Sequence, residues 1–172
     1  MICVSHCLLH RQSKSDRAPA VGLRKGVAGF NIPARKATIY GTGNNLACWT
    51  PLPVVATAAV NMLRKPDEIK NRAIFICGIY GLTQNTILAA LEAETGDQFE
   101  REIVDVQKIR SDALNALEAG ELGKAARGLT INAQFNELDS AANFWHLVDN
   151  DVVGVEAVDV RDAVRGYLKS VE

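Results

Sequence analysis

Residues 41–46, Gly-Thr-Gly-Asn-Asn-Leu, follow a strand-like run, where a glycine-rich turn can cradle the phosphates of a dinucleotide. In that motif the third glycine lets a helix pack closely on the strand, but this chain has Leu46 at that position. Pro51 and Pro53 block the helix that should begin there, and no acidic residue closes the next strand near Cys77. We therefore interpret residues 41–46 as a turn and predict no cofactor-binding residue in it.

Metal chemistry is suggested by two cysteines and two histidines that share one side of a helix near the start of the chain: Cys3, His6, Cys7 and His10. Two thiolates and two imidazoles can bind tetrahedral zinc. Four ligands on one straight helix form a row, however, and the sequence offers no second element to close the site. We predict no metal site. Cys48 and Cys77 lie in apolar surroundings and are interpreted as buried free thiols in a reducing, cytoplasmic setting.

The chain shows no arrangement for nucleophilic or acid–base catalysis. Gly-x-Ser-x-Gly is absent, and His146 stands between Trp145 and Leu147, a neighbourhood typical of a packed histidine. The tyrosine–lysine pair of short-chain reductases is absent, because no lysine follows four residues after any tyrosine, namely Tyr40, Tyr80 and Tyr167. We predict no catalytic residue.

The composition is that of an ordinary globular protein, with 48% hydrophobic and 23% charged residues and a formal net charge of −1. A nucleic-acid partner is not expected, because phosphate contacts need a basic surface. A membrane span is not expected either, because the longest apolar runs are far shorter than about 20 residues. The first nine residues lack the features of a secretory signal.

The pattern of elements predicts an α/β fold. Residues 1–20 are polar and are expected to be a disordered or non-homologous lead-in, whereas residues 21–172 form the folded region. Periodicity and capping signals predict strands at 37–40, 73–77 and 99–106, and helices at 54–64, 84–94, 106–119, 122–136 and from 160 onward. Thr83 is the expected N-cap of the second helix, and Gly96 is its stop. The apolar strand at 73–77 predicts marginal stability and self-association through exposed sheet edges.

Several segments together resemble NmrA-like proteins, and are closest to the fungal isoflavone-reductase-like branch. The likeness covers most of the chain from Gly22 onward, with its motifs in the order of that family: residues 22–26, 29–37, 39–40, 43–45, 71–76 and 82–92. The resemblance implies the C-terminal part of a Rossmann-type NAD(P)-binding fold, with a small mixed sheet and covering helices. Family members hold NADP or NAD on an N-terminal glycine-rich loop, and their reductases use a lysine from that part. Both would precede Gly22, so the dinucleotide-binding half is expected to be missing here.

The residues expected to face a small-molecule substrate stand in loops after the predicted strands, where open α/β folds collect ligands: Phe30, Asn44, Asn45, Trp49 and Thr50. Trp49 would provide an aromatic wall for a planar ligand. Phe30 and Trp49 are equally compatible with core positions.

The functional hypothesis is therefore the substrate-binding portion of an NAD(P)H-dependent oxidoreductase that reduces a small aromatic or enone-type molecule. The resemblance implies NADP as cofactor, and this truncated chain is expected to be inactive alone. One alternative is a non-catalytic, NAD(P)-responsive regulator whose partner binds the helices between residues 106 and 136. Another is a truncated product without activity.

Overall fold

The computed structural model describes residues 2–3, 28–138 and 141–171. They form an α/β protein with short strands, one small mixed sheet and helices. The chain divides into two compact units. The first unit contains residues 2–3, 48–82 and 144–171, and the second unit contains residues 28–47, 83–138 and 141–143.

The described strands are short, whereas most helices span three turns or more. The strands are β1 (Ile2–Cys3), β2 (Phe30–Asn31), β3 (Lys36–Tyr40), β4 (Ala47–Trp49), β5 (Ile74–Phe75), β6 (Ile79–Leu82) and β7 (Glu100–Val104). The helices are α1 (Leu52–Arg64), α2 (Pro66–Ile69), α3 (Gln84–Thr95), α4 (Val106–Glu118), α5 (Leu122–Phe135), α6 (Asn150–Val153) and α7 (Val160–Val171), with a 3₁₀ turn at Trp145–Leu147. Across the described ranges, no helix is both long enough and apolar enough to cross a lipid bilayer.

The second unit is built on a three-stranded mixed sheet with the order β2-β3-β7. β2 runs antiparallel to β3, with Phe30 opposite Ala37. β3 runs parallel to β7, with Lys36 opposite Glu100 at one end of the pair and Tyr40 opposite Val104 at the other. The sheet therefore has two parallel carboxyl ends, at β3 and β7, and a loop leaves each of them.

The side chain of Gln84 joins α3 to this sheet. Its Nε2 donates hydrogen bonds to the carbonyls of Ala28 (2.8 Å) and Thr38 (3.0 Å), and its Oε1 accepts one from the Tyr40 N–H (2.8 Å). The Gln84 side-chain amide thus bonds β3 as a peptide group of a neighbouring strand would. It continues the hydrogen-bond ladder along β3 past the residues that pair with β2. Gln84 is only 1% exposed, and its bonds to Ala28 and Tyr40 are buried, whereas the bond to Thr38 is half-buried.

The ends of α3 follow directly from its sequence. The Thr83 side chain accepts from the Thr86 N–H (3.0 Å), and the Thr86 hydroxyl accepts from the Thr83 N–H (2.8 Å), which is a complete capping box. Gly96 ends the helix with a left-handed φ of 73°.

Helices α4 and α5 form a hairpin in the same unit. Asp105 caps α4 by accepting from the Gln107 N–H (2.8 Å). The two helices touch through small residues, since a Cβ on Gly128 would lie 2.6 Å from the Ala113 Cβ. At the open end, Gln107 Nε2 donates to Asn136 Oδ1 (3.1 Å) and links the start of α4 to the end of α5.

The first unit packs α1 and α6 around β5. Its core contains one alanine and four branched aliphatic side chains: Ala58, Ile74, Ile76, Val153 and Val155. β5 pairs in parallel with β1, and β4 pairs with β6. At Phe75, the last residue of β5, and at Cys77 the backbone is held by side chains. Asp149 Oδ2 accepts from the Phe75 N–H (3.1 Å), and Asn150 bonds both backbone groups of Cys77.

Every predicted helix end is confirmed to within two residues. Thr83 and Gly96 have the predicted capping roles. The strand predicted at 73–77 is buried as expected, but its ladder covers only Ile74–Phe75, because side chains of residues 149–150 take over the pairing. No strand was predicted at the positions of β2, β4 and β6. The lead-in predicted at residues 1–20 lies outside the described residues, except for Ile2–Cys3 in β1.

Replacing Gln84 by leucine is expected to lower the free energy of unfolding by about 3 kcal/mol or more, because two carbonyls and one N–H would stay buried without partners. Urea denaturation of both proteins measures the difference. Gln98→Leu is the matched control, since Gln98 is exposed, and its effect is expected to stay within about 0.5 kcal/mol. Equal effects of the two substitutions would contradict the role given to the Gln84 amide.

Gly29→Ala is expected to destabilise the protein by about 3 kcal/mol, because Gly29 has a φ of 89° and its new Cβ would lie 2.1 Å from the Thr38 carbonyl oxygen. The control is Gly166→Ala in α7, where the added methyl group meets nothing within 4 Å and is expected to stabilise the helix by about 0.5 to 1 kcal/mol. Thermal melts of the two variants should therefore shift in opposite directions.

Candidate functional site

The carboxyl end of β3 opens into a tight loop, residues 41–45, in the second unit. Gly41 and Gly43 have φ values of 64° and 73°, and the Gly41 N–H bonds the Val104 carbonyl (2.9 Å) at the neighbouring strand end. A Cβ at Gly43 would lie 2.6 Å from the Ile39 Cγ2 and 2.9 Å from the Asn85 Oδ1. The glycines are therefore required by backbone conformation and by close packing.

A polar network, which we call the Thr42 cluster, covers this loop: Thr42, Asn44, Asn85 and Glu137. Glu137 Oε1 accepts from both the N–H (3.0 Å) and the hydroxyl of Thr42. Asn85 Nδ2 donates to the Thr42 carbonyl (2.9 Å) and to Asn44 Oδ1 (2.8 Å). Thr42 and Asn44 are exposed, so the network presents fixed hydrogen-bonding groups to solvent.

An aromatic contact and a side-chain amide connect the end of β3 and the loop that follows it to α5. The rings of Tyr40 and Phe135 lie 5.0 Å apart between centroids, and burial raises the pKa of the Tyr40 phenol, which therefore stays neutral at physiological pH. Asn45 Nδ2 donates to the Gln134 carbonyl. The loop is thus tied to the end of α5 at two points, through Asn45 and through Glu137.

The loop does not fit a dinucleotide pyrophosphate. The space beside Gly43 is filled by Ile39 and Asn85, and the chain continues from the loop into β4, not into a helix. The nearest helix start, at α3, uses its own N–H groups, because Thr83 caps it and the Asn85 N–H bonds the Gly43 carbonyl (3.1 Å). The interpretation of residues 41–46 as a turn is therefore confirmed for the backbone conformation.

In the first unit, the end of β4 carries Trp49 and Thr50. Trp49 is partly exposed, yet its indole Nε1 is buried and has no hydrogen-bond acceptor within the described ranges. Buried indole N–H groups normally have a partner, so Trp49 departs from the usual pattern among the described residues. Thr50 has a structural bond, since its hydroxyl donates to the Ile76 carbonyl (3.0 Å).

Cys48 and Cys77 meet in the core of the first unit as two free thiols, as the sequence predicts. They share a hydrogen bond, which lowers the pKa of Cys48 to about 7 and raises that of Cys77; burial opposes the first shift and reinforces the second. In the part of the chain that the structure describes, no group of three or more His, Cys, Asp or Glu residues has the arrangement of a metal site. The Cys3, His6, Cys7 and His10 pattern lies outside the described side chains.

The five residues predicted to face substrate fall into both units. Phe30 is buried in β2, whereas Asn44 belongs to the Thr42 cluster and Asn45 supports it. Trp49 and Thr50 stand together at the end of β4. Their contact with a ligand stays a prediction.

Sequence reasoning missed Thr42, Asn85 and Glu137 as members of a site. Asn85 is next to the predicted N-cap of α3, and Thr42 lies within the glycine turn, so both had local signals. Glu137 had none, because it is 95 residues from Thr42 along the chain.

Two fungal proteins resemble this chain. It is 26% identical over 144 residues to the oxidoreductase poxI of Penicillium oxalicum, and this alignment covers 82% of the chain and 45% of that protein. It is 32% identical over 94 residues to the oxidoreductase aprR of Aspergillus flavus, covering 55% of the chain and 31% of that protein. The chain therefore spans less than half the length of these relatives. No protein-family model matches the chain, and no solved structure matches it at a significant level.

Glu137→Ala is expected to loosen the loop at residues 41–45, because the Thr42 N–H and hydroxyl both lose their acceptor. We expect hydrogen exchange of the Thr42 amide to become about tenfold faster, and a stability loss of about 1 kcal/mol. Glu118→Ala, at an exposed position near the end of α4, is the control and should leave that amide unchanged. Unchanged exchange at Thr42 in Glu137→Ala would contradict the cluster as described.

Proposed function

We propose that this chain is the substrate-binding portion of an NAD(P)H-dependent oxidoreductase of the isoflavone-reductase-like type, with NADP as cofactor. The observation that carries the proposal is the similarity to poxI along 82% of the chain, since poxI and aprR are both named oxidoreductases. The segments that resemble NmrA-like proteins support the finer assignment. They include the Thr83-Gln84-Asn85 stretch, whose side chains fix α3 and the loop after β3.

The substrate class that suits the described residues is a small aromatic ketone or enone. The indole N–H of Trp49 is buried and lacks an acceptor, and in this proposal a ligand carbonyl supplies one after the side chains around the N–H move aside. The indole ring offers an apolar face for a planar ligand. A hydrogen bond to a carbonyl oxygen also stabilises the negative charge that grows on this oxygen during reduction, so Trp49 would act as an orienting and polarising donor.

The nicotinamide would supply the hydride when it is bound. Because the loop at residues 41–46 does not fit a pyrophosphate, we assign no cofactor contact to the described residues. Their proposed part is to bind and orient the substrate and to exclude water from it. The chain alone is then expected to bind ligand without turnover.

A second candidate is a non-catalytic, NAD(P)-responsive regulator that binds a protein partner. The observation in its favour is a set of exposed leucines on the α4–α5 hairpin: Leu114, Leu117 and Leu122. Exposed apolar side chains gathered on one structural element are typical of a protein-binding surface.

Fluorescence of the two tryptophans provides the test, because Trp145→Phe leaves Trp49 as the only tryptophan of the chain. We expect an aromatic enone such as chalcone to quench Trp49 fluorescence saturably in this variant. Calorimetry should show that Trp49→Phe weakens enone binding about tenfold, because the ring is kept and only the N–H is lost. Trp145→Phe is the matched control and should bind as the unaltered chain does.

The same samples distinguish the two candidate functions. Absorbance of NADPH mixed with the chain and the enone is expected to stay constant. Oxidation of NADPH by the chain unaided would contradict the assignment as a substrate-binding portion. Saturable NADPH binding together with no enone binding would favour the regulator, and failure of aromatic ketones and enones to bind at all would overturn the proposed substrate class.

A further inference from the structure

The two buried thiols of the first unit are in direct contact. Cys48 lies on β4 and is 2% exposed, and Cys77 follows β5 and is fully buried. A hydrogen bond joins them, and apolar side chains surround the pair: Phe75, Phe144 and Val148. An isolated buried cysteine is normally inert, whereas two adjacent thiols can form a disulfide with each other when an oxidant is present.

The backbone around both cysteines is fixed. Asn150 Oδ1 accepts from the Cys77 N–H (3.1 Å), and Asn150 Nδ2 donates to the Cys77 carbonyl (2.7 Å). The Gly78 N–H donates to the carbonyl of Trp49 (3.0 Å), and Trp49 is the residue after Cys48. These contacts hold the backbone beside both cysteines, whose side chains share one core cluster, and a disulfide would bring the two sulfur atoms to about 2 Å.

The two thiols differ in their tendency to ionise. The Phe144 N–H also donates to the Cys48 sulfur, and this bond favours the thiolate of Cys48. The hydrogen bond with Cys48 and then burial raise the pKa of Cys77, so its proton is retained. Cys48 is consequently the better nucleophile of the pair.

We propose that Cys48 and Cys77 are a redox-active pair that closes to an intramolecular disulfide, with Cys48 as the attacking thiol and a small aliphatic disulfide as oxidant. The Cys48 thiolate attacks one sulfur of the oxidant, forms a mixed disulfide and releases one thiolate. That thiolate takes the Cys77 proton, and Cys77 sulfur then attacks the Cys48 sulfur and expels the second thiolate, which is protonated from solvent. The protein loses two electrons and two protons, and the oxidant is reduced to two thiols.

Closure would join β4 covalently to the segment after β5. Because both sulfur atoms are buried, the oxidant reaches them only when the first unit opens locally, so the reaction is expected to be slower than at an exposed dithiol. The inference does not depend on the oxidoreductase proposal, since it rests only on contacts within the first unit.

The test uses the full chain with Cys3→Ser and Cys7→Ser, which leaves Cys48 and Cys77 as the only cysteines. The protein is incubated with oxidised glutathione or with diamide, the remaining thiols are alkylated, and proteolytic peptides are identified by mass spectrometry. We expect a peptide pair linked through Cys48 and Cys77 that disappears on treatment with dithiothreitol. Absence of this linked pair with both oxidants would overturn the proposal.

Two further variants in that background assign the roles. Cys77→Ser should accumulate a glutathione adduct on Cys48, because the resolving thiol is gone. Cys48→Ser should leave Cys77 at least about tenfold less modified. Circular dichroism shows whether each variant is folded, and the linked peptide of the unsubstituted pair remains decisive if either is not. Preferential modification of Cys77 would overturn the assignment of Cys48 as the attacking thiol.

Discussion

The second unit depends on one buried side-chain amide. Gln84 takes the place of a peptide beside β3, where β2 is too short to continue, and satisfies the backbone of Ala28, Thr38 and Tyr40 at once. Because the Ala28 and Tyr40 groups are buried, their pairing offsets the cost of placing the sheet against α3. The position of α3, and with it that of Asn85 over the loop at residues 41–45, follows from this contact.

The first unit uses the same device with different residues. Asp149 and Asn150 bond the backbone of Phe75 and Cys77, so a strand of only two ladder residues is extended by side chains. Arg72 pairs with the carboxylate of Asp149 and helps to hold it in this place. Short strands are thus stabilised in both units by amides and carboxylates that come from elsewhere in the chain, and this is why so much of the fold carries little strand-like sequence.

Most of the helical structure was predictable, because α1, α3, α4, α5 and α7 carry apolar periodicity, and side-chain caps act over two or three positions at the starts of α3, α4 and α7. β2 has only two residues, too few to show alternation, and β5 pairs with a strand that is 72 residues away, since Ile74 lies opposite Ile2. Distance along the chain also explains why the Thr42 cluster was not predicted as a whole. Asn44 stood out as a polar loop residue after a strand, but the contact of Thr42 with Glu137 spans 95 residues and has no local signature. The burial of Cys48 and Cys77 was predictable from apolar neighbours, whereas their mutual contact was not.

The close packing of Gly128 on Ala113 brings α4 and α5 together at a point where a larger side chain would not fit. Glu137 follows the end of this hairpin by two residues and holds Thr42 through its carboxylate. The loop after β3 is therefore linked to the end of the hairpin by two side chains, the Glu137 carboxylate and the Asn45 amide. Side chains of the loop and of residue 137 thus connect the carboxyl end of β3 to a helical hairpin that shares no hydrogen-bond ladder with this strand.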